Sequence, residues 1–285
     1  MAKKTDKAIL VDISLCTGCK ACQLACKEWH NLPATEFEKV PGTYQNPADR
    51  SYNTLMLMEF TEKYDEETGI MDWLIRKSQC MHCSTAPCAS VCPSGALFVH
   101  EDGFVGLEND KCIGCTYCSK ACPFDVPRYE ENAFTGNQKM NKCDFCKDRV
   151  TNGQQPACVT TCPTNCLEYG EWQDIVDKAH ARVKQIKNRF PKANVYGDKI
   201  MEGTHYIYVL TEEPEVFGLP SAPKTDELVE FRRDVIEPVT KVLMGATGLG
   251  ILTNFIVAAQ TYNDDDKLEV HESEEQDKGS ENKHE

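Results

Sequence analysis

Sixteen of the seventeen cysteines of this chain fall into four motifs of four. Each motif opens with two cysteines separated by two residues and closes with two separated by three. Thiolates at such short spacings bind soft metals, and the run C-x2-C-x2-C-x3-C-P holds iron–sulfur cubanes in bacterial ferredoxins. The four motifs, in chain order, are Cys16, Cys19, Cys22 and Cys26; Cys80, Cys83, Cys88 and Cys92; Cys112, Cys115, Cys118 and Cys122; and Cys143, Cys146, Cys158 and Cys162.

Structural zinc and a disulfide framework are the alternatives to iron–sulfur clusters. Zinc usually takes two C-x2-C pairs separated by a longer loop. In three of the motifs a third cysteine follows the second by three or five residues, which crowds one ion but suits the corners of a cube. Disulfide frameworks belong mostly to short secreted chains, and an odd count leaves one thiol unpaired. Sixteen thiolates match four [4Fe–4S] clusters, and several clusters in one chain predict an electron carrier.

Residues beside the cysteines have structural roles in this interpretation. Gly18 and Gly114 are expected where the backbone passes close to an inorganic sulfide, since glycine has no Cβ to clash there. Proline follows the fourth cysteine in three motifs and ends a short turn. Lys27 takes that place in the first motif, so Cys26 is expected to continue into a helix.

Two single residues invite a functional interpretation that we do not favour. His82 could relay a proton or tune a cluster, but we expect it to pack beside a cluster or hydrogen-bond the backbone. Cys166, outside the four motifs, has no evident partner. We expect a buried, inert thiol rather than a redox sensor.

In two-cluster ferredoxins the fourth cysteine of one motif serves the other cluster. The four motifs are therefore expected to form two interlocked pairs. The fold class predicted is α+β, with two interlocked double-cluster ferredoxin-like modules, insertions and one C-terminal transmembrane helix. The expected elements are strands at 8–13, 54–60, 71–76, 166–170 and 203–210, a hairpin at 96–107 and a helix at 172–190.

A segment without charged residues, 242–263, lies near the C-terminus. As a helix it would reach roughly 33 Å, enough to cross a hydrocarbon core of about 30 Å. Ala246, Gly250, Asn254 and Ala258 recur at every fourth position and would form a small, partly polar stripe for a membrane partner. The alternative is a buried core helix of a soluble fold.

Charge is unevenly distributed along the chain. The formal net charge of −14 argues against nucleic-acid binding. Residues 264–285 hold ten acidic residues against three lysines, which predicts a disordered, solvated tail. The N-terminus has no apolar stretch and no twin arginine, so no export signal of its own is expected. The expected domains are a cluster domain at 1–240, a transmembrane helix at 241–263 and the tail.

From the first motif to the tail, the chain resembles the iron–sulfur β subunits of respiratory, membrane-bound formate dehydrogenases. The cysteine spacings alone are shared with subunits of sulfur-compound reductases, nitrate reductases and some hydrogenases. The C-terminal span and the acidic tail distinguish the formate dehydrogenase type from these other subunits. Further segments that carry the resemblance are Asn46-Pro-Ala-Asp49, Trp73-Leu-Ile-Arg-Lys77, Gln155-Pro-Ala-Cys158, Gly203-Thr-His205 and Phe217-Gly-Leu-Pro220.

The resemblance, with the ferredoxin crossover, implies which cysteines share a cluster. The motifs at 16–26 and 143–166 would form one module, and those at 80–92 and 112–123 the other. In nitrate-reductase relatives a tryptophan takes the place of one cluster ligand. This chain has Cys118 at that place, so each of the four clusters has four cysteines and should be a cubane. The implied ligand sets are cluster A, Cys16, Cys19, Cys22 and Cys162; cluster B, Cys26, Cys143, Cys146 and Cys158; cluster C, Cys80, Cys83, Cys88 and Cys122; and cluster D, Cys92, Cys112, Cys115 and Cys118.

The resemblance also implies partners and a location. Electrons would come from a catalytic subunit with molybdenum or tungsten bis-pterin and pass to a membrane cytochrome b and quinone. This chain would have no catalytic site of its own. Alternatives are the same role in a membrane hydrogenase or a sulfur-compound oxidoreductase, or a free-standing reductase. The cluster domain is expected on the periplasmic side of the inner membrane. Arg232, Arg233 and Lys241 before the span favour the opposite, cytoplasmic placement.

Overall fold

The computed structural model of the protein describes residues 1–35, 43–64, 66, 69–130, 138–225, 227–231 and 235–280. The chain divides into two compact units, Met1–Val229 and Glu230–Glu285. The boundary lies about ten residues before the predicted one at 240. All the cysteines belong to the first unit.

Short elements dominate the first unit, and one long helix dominates the second. The strands are β1 Lys7–Asp12, β2 Leu57–Tyr64, β3 Met71–Ser78, β4 Leu97–Val99, β5 Val105–Leu107, β6 Arg128–Tyr129, β7 Met140–Asn141, β8 Leu167–Glu171, β9 Asn194–Tyr196 and β10 Tyr206–Leu210. The helices are α1 Ala21–Trp29, α2 Pro87–Ser90, α3 Tyr117–Ala121, α4 Lys147–Thr151, α5 Ala157–Thr160, α6 Trp172–Ile186, α7 Glu227–Phe231 and α8 Glu237–Ser280.

A four-stranded sheet of order β8-β1-β10-β9 separates the cysteines from α6. Strand β1 pairs in parallel with β10 and antiparallel with β8. Because side chains alternate across a strand, Ala8 and Leu10 pack with α6, whereas Ile9 and Val11 face the core that holds cysteines of the first, second and fourth motifs. Strand β10 is buried along its whole length. The sheet therefore shields one side of the cysteine core from water.

The helices of the motifs pack in two pairs. Helix α1 of the first motif packs against α5 of the fourth, and α2 of the second packs against α3 of the third. The strand pairing follows the same scheme. Strand β1 enters the first motif and pairs with β8, which follows the fourth; β5 enters the third motif and pairs with β4, which follows the second. The two halves thus repeat one arrangement.

The insertion between the first and second motifs forms the hairpin of β2 and β3. The predicted strand at 71–76 is confirmed, whereas the one at 54–60 begins later, at Leu57. Ser51 and Thr54 pair with each other in an isolated β-bridge, so Thr54 is not part of strand β2. The predicted hairpin at 96–107 and the strands at 8–13, 166–170 and 203–210 are present within a few residues of their expected ends.

Helix α8 contains one candidate membrane span, Pro238–Gln260. None of that span is buried, so the alternative of a buried core helix has no support within the described residues. Hydroxyls inside it bond their own helix, with Thr247 Oγ1 donating to Leu243 O at 3.0 Å. Such bonds satisfy polar groups without water. Ala246, Gly250, Asn254 and Ala258 are all exposed on α8.

Helix α8 continues through residues 264–280 to Ser280, within the segment for which we expected a disordered, solvated tail. Besides four aspartates, the sequence there has no proline and includes four glutamates, two lysines and one glutamine. Glutamate, lysine and glutamine are good helix formers, and extending an existing helix needs no new nucleus. Low apolar content does not prevent helix formation. Residues 281–285 lie outside the described part of the chain.

The cysteine loop of the third motif depends on the absence of a Cβ at Gly114. Its φ is +70°, and a Cβ there would lie 2.5 Å from the backbone oxygen of Gln138. Gly153 is a matched control, with a φ of +72° and nothing within 4 Å of its added Cβ. We expect Gly114→Ala to lower the free energy of unfolding by about 1–3 kcal/mol more than Gly153→Ala. Anaerobic denaturant titration measures both, and equal losses would contradict the close approach.

Candidate iron–sulfur cluster sites

All four cysteine loops turn in the same way immediately before the second cysteine. The φ angles there are +66° at Gly18, +50° at His82, +70° at Gly114 and +67° at Phe145. The sequence pattern identified only the two glycines. Positive φ is unfavourable for a histidine or phenylalanine, so the second and fourth motifs keep this turn at a cost. The spacing could have predicted the turn in all four motifs, because His82 and Phe145 hold the same place in C-x2-C as the two glycines.

Thiols from the first and fourth motifs lie together at one site. Cys26 is buried, and burial together with the neighbouring thiols of Cys143, Cys158 and Cys146 raises its pKa well above the usual value. Cys26 closes the first motif, whereas the other three belong to the fourth. The folded chain thus brings residues more than a hundred positions apart to one place.

Thiols of the second and third motifs also lie near one another. Burial and the thiols of Cys80, Cys88 and Cys122 raise the pKa of Cys83. Cys122, which closes the third motif, therefore lies among cysteines of the second. In turn, burial raises the pKa of Cys118, and Cys92 of the second motif is among the thiols that add to this effect.

Cys166 contacts both Cys16 of the first motif and Cys162, the last cysteine of the fourth motif. Burial raises the pKa of Cys22 to about 12, and Cys16 and Cys19 are among the thiols that contribute. The Sγ atoms of Cys162 and Cys166 lie 3.5 Å apart. A hydrogen bond from Cys166 lowers the pKa of Cys16 to about 6.

Cys166 is buried, as predicted, but it does have partners. It lies four residues after the last cysteine of its motif, and Ala96 holds the same place after Cys92. Both positions accept a backbone bond from the strand of the partner motif: Asp12 N–H donates to Cys166 O, and Glu108 N–H donates to Ala96 O. Cys166 is thus the counterpart of an alanine, which indicates that the fold does not require a thiol there.

His82 and Phe145 meet between the two pairs of motifs. Their ring centroids lie 5.0 Å apart in an edge-to-face arrangement. His82 is fully buried, and its Nδ1 accepts a hydrogen bond from Val105 N–H at 3.1 Å, which confirms the expected backbone bond. Its Nε2 has no partner among the described residues. The contact places the second motif directly beside the fourth.

The cysteines differ in their exposure to solvent. Cys19 is exposed, and Cys112 and Cys115 are partly exposed, whereas all the cysteines beside Cys26 are buried. His30 and Asp144 lie beside Cys146 and could hold a metal ion with it. Cys146 already belongs to the fourth motif, and Asp144 Oδ1 accepts its backbone N–H at 2.8 Å. We therefore assign Asp144 to shaping this loop rather than to a separate metal site.

The donor set fits iron–sulfur clusters. Thiolate is the ligand that these clusters take, and the thiols lie in compact groups among apolar side chains such as Ile9, Phe104 and Met140. Buried thiols do not ionise readily alone, and a bound metal ion stabilises the thiolate form.

Two models of 4Fe-4S dicluster domains match the sequence, at residues 15–96 and 71–172. The iron–sulfur subunit of nitrate-inducible formate dehydrogenase from Escherichia coli is 39% identical over 275 residues, or 94% of this chain and 91% of that protein. The formate dehydrogenase iron–sulfur subunit of Haemophilus influenzae is 38% identical, over 95% of this chain and 87% of that one.

A shorter relative matches less of the chain. Formate dehydrogenase 2 subunit beta (cytochrome c-553) of Nitratidesulfovibrio vulgaris is 37% identical over 217 residues, or 73% of this chain and 95% of that protein. Identity at this level over most of each protein shows common descent. The groups of cysteines are the ligands that an iron–sulfur subunit needs. The chain belongs to the family of formate dehydrogenase iron–sulfur subunits.

Proposed function

We propose that this chain holds four [4Fe–4S] clusters in two crossed pairs. It would pass electrons from a molybdenum or tungsten bis-pterin catalytic subunit to a membrane cytochrome b and quinone. An electron-transfer role within formate dehydrogenase follows from the family. The observation that carries the crossed pairing is the packing of α1 with α5 and of α2 with α3. Each bound cluster would accept and release one electron.

The grouping of thiols supports the ligand sets inferred from the resemblance. Cluster B would use Cys26 with three cysteines of the fourth motif, which are the thiols that lie around it. The same agreement holds around Cys83 for cluster C and around Cys118 for cluster D. For cluster A, the contact runs from Cys16 through Cys166 to Cys162.

A linear order of the four sites follows from these contacts. A and B share the first and fourth motifs, and C and D share the second and third. The contact of His82 with Phe145 supports B and C as neighbours. The exposed Cys19 and most of the partly exposed cysteines belong to A and D at the ends of this order, although Cys122 of C is also partly exposed. Electrons would therefore enter at one end and leave at the other, while the β8-β1-β10-β9 sheet and α6 exclude water from one side of the path.

The crossed pairing predicts which cysteine substitutions damage the same cluster. We expect the full-length chain to hold about sixteen iron atoms and no zinc. Cys26→Ser and Cys158→Ser should alter the same Mössbauer and EPR signals, because both would ligate cluster B. Cys22→Ser should alter a different cluster, although it lies in the same motif as Cys26.

Cys166→Ala is the matched control, since it removes a buried thiol outside the ligand sets, and it should keep the full iron content. If Cys26→Ser and Cys22→Ser altered the same cluster while Cys158→Ser altered another, each motif would close its own cluster. The crossed pairing would then be wrong.

The isolated chain should be reduced and reoxidised without oxidising formate. All the recognised chemistry of this chain is cluster ligation, and hydride abstraction would need the catalytic partner. The measurement is formate-dependent dye reduction by the purified full-length chain after its iron content has been verified. Adding the catalytic subunit should start turnover. Appreciable turnover without that subunit would refute a purely electron-carrying role.

We further propose that α8 anchors the chain in the inner membrane, with the cluster domain periplasmic and the C-terminus cytoplasmic. The exposed surface of Pro238–Gln260, which has no charged residue after Lys241, supports an anchor. The stripe of Ala246, Gly250, Asn254 and Ala258 would pack against the cytochrome, where small side chains allow close approach. A folded domain exported with a signal-bearing partner would not choose its orientation from the flanking basic residues, which is why the family resemblance outweighs them.

Protease added to intact spheroplasts tests this orientation. It should degrade the cluster domain and spare a tag placed after Glu285. Lysed spheroplasts are the control, in which the tag should also be lost. A tag that is cut in intact spheroplasts while the cluster domain is protected would show that the flanking charges set the orientation.

A further inference from the structure

Lys77 lies within the core beside a cysteine of the first motif. Only 3% of it is exposed. It is the cross-strand partner of Met58 in the β2–β3 hairpin, and directly opposed residues project from the same face of a sheet. The Sγ of Cys22 donates to Met58 Sδ at 3.5 Å. The sheet register therefore directs Lys77 toward the site that holds Cys22.

The other side of the Lys77 ammonium contacts Tyr206, which reaches the fourth motif. Nζ lies 4.5 Å from the centroid of the Tyr206 ring and 3.5 Å from its hydroxyl. That hydroxyl is 3.9 Å from Cys143 Sγ. One ammonium is thus flanked by Cys22, a proposed ligand of cluster A, and by Cys143, a proposed ligand of cluster B.

Lys77 lacks the partners that normally accompany a buried cation. No carboxylate forms a salt bridge with it anywhere in the described part of the chain. Lys142 is also buried, but its Nζ donates hydrogen bonds to two carbonyl oxygens, those of Val105 and Cys143, at 2.7 and 2.8 Å. A buried charge without a counter-charge is strongly unfavourable. Net-negative clusters on both sides would supply that counter-charge.

The nearby thiolates are consistent with a charged ammonium. Burial alone would lower the pKa of Lys77, but the negative charge of Cys158, Cys22 and Cys143 outweighs it and raises the pKa. Other cations face the second and third motifs. Burial raises the pKa of Cys88 and Cys122, and the cations that oppose this rise are Lys142 and Arg50 respectively.

We propose that the Lys77 ammonium raises the reduction potentials of clusters A and B together, and of C and D much less. This inference rests on the proposed ligand sets. Adding one electron to a cluster makes it more negative, and a fixed cation nearby stabilises the reduced form. The step forms and breaks no bond and needs no proton. The partner subunit that oxidises formate supplies the electron. Lys77 is a tuning residue that touches neither formate nor the reacting atoms of the partner subunit.

The test is a redox titration of the full-length Lys77→Met chain, followed by EPR. Two of the four clusters should become harder to reduce. At a fixed potential their ratio of reduced to oxidised form should fall about tenfold, which is 59 mV for a one-electron couple. The other two clusters should shift much less. Lys77→Arg keeps the charge and should titrate like the wild type. Lys184→Met removes an exposed lysine on α6 and should change no potential.

Iron content separates this proposal from the ligand sets on which it rests. About sixteen iron atoms in Lys77→Met, with all four potentials unchanged, would overturn the tuning role and leave the four clusters standing. Fewer iron atoms in the wild type would instead contradict the four clusters. If Lys77→Met loses iron, Lys77→Gln replaces it in the comparison. Equal shifts of all four clusters would also refute the proposal, since they would show a general effect of net charge.

Discussion

A buried thiolate is stable only beside positive charge, and this requirement governs the whole first unit. Ten of the seventeen cysteines are buried, and burial raises the pKa of thiols such as Cys22, Cys26 and Cys83. Iron supplies most of the compensation when clusters are bound. The chain supplies the rest from a few cations placed inside the core, of which Lys77 and Lys142 are almost inaccessible to water. The sheet and α6 keep water away on one side, which strengthens each of these electrostatic interactions.

The proposed crossing of the motifs would link the clusters to the tertiary fold. A motif that closed its own cluster would need only one loop, whereas a crossed pair requires two loops to be correctly placed. Here β1 and β8 hold the ends of the first and fourth motifs together, and β4 and β5 do so for the second and third. The contact between His82 and Phe145 then joins the halves. With crossed clusters, stability and electron transfer would depend on the same contacts.

Local patterns were predictable from the sequence, and long-range placements were not. Cysteine spacing and alternation gave the motifs, β1, the β4–β5 hairpin and the candidate span, because each depends on neighbouring residues. The burial of Lys77 depends on its pairing with Met58 and on Tyr206, which lies 129 positions away. The contacts of Cys166 depend on the first motif. The helical backbone at 264–280 was not predicted, because high charge and low apolar content were taken to indicate a disordered tail.

The most direct test of the crossed arrangement is the position of iron relative to individual cysteines. Diffraction from the cluster-loaded protein at the iron absorption edge would locate each cluster without assumptions about ligands. The crossed arrangement predicts a cluster enclosed by Cys26, Cys143, Cys146 and Cys158, with Cys22 on the adjacent cluster. A cluster enclosed by Cys16, Cys19, Cys22 and Cys26 would contradict it.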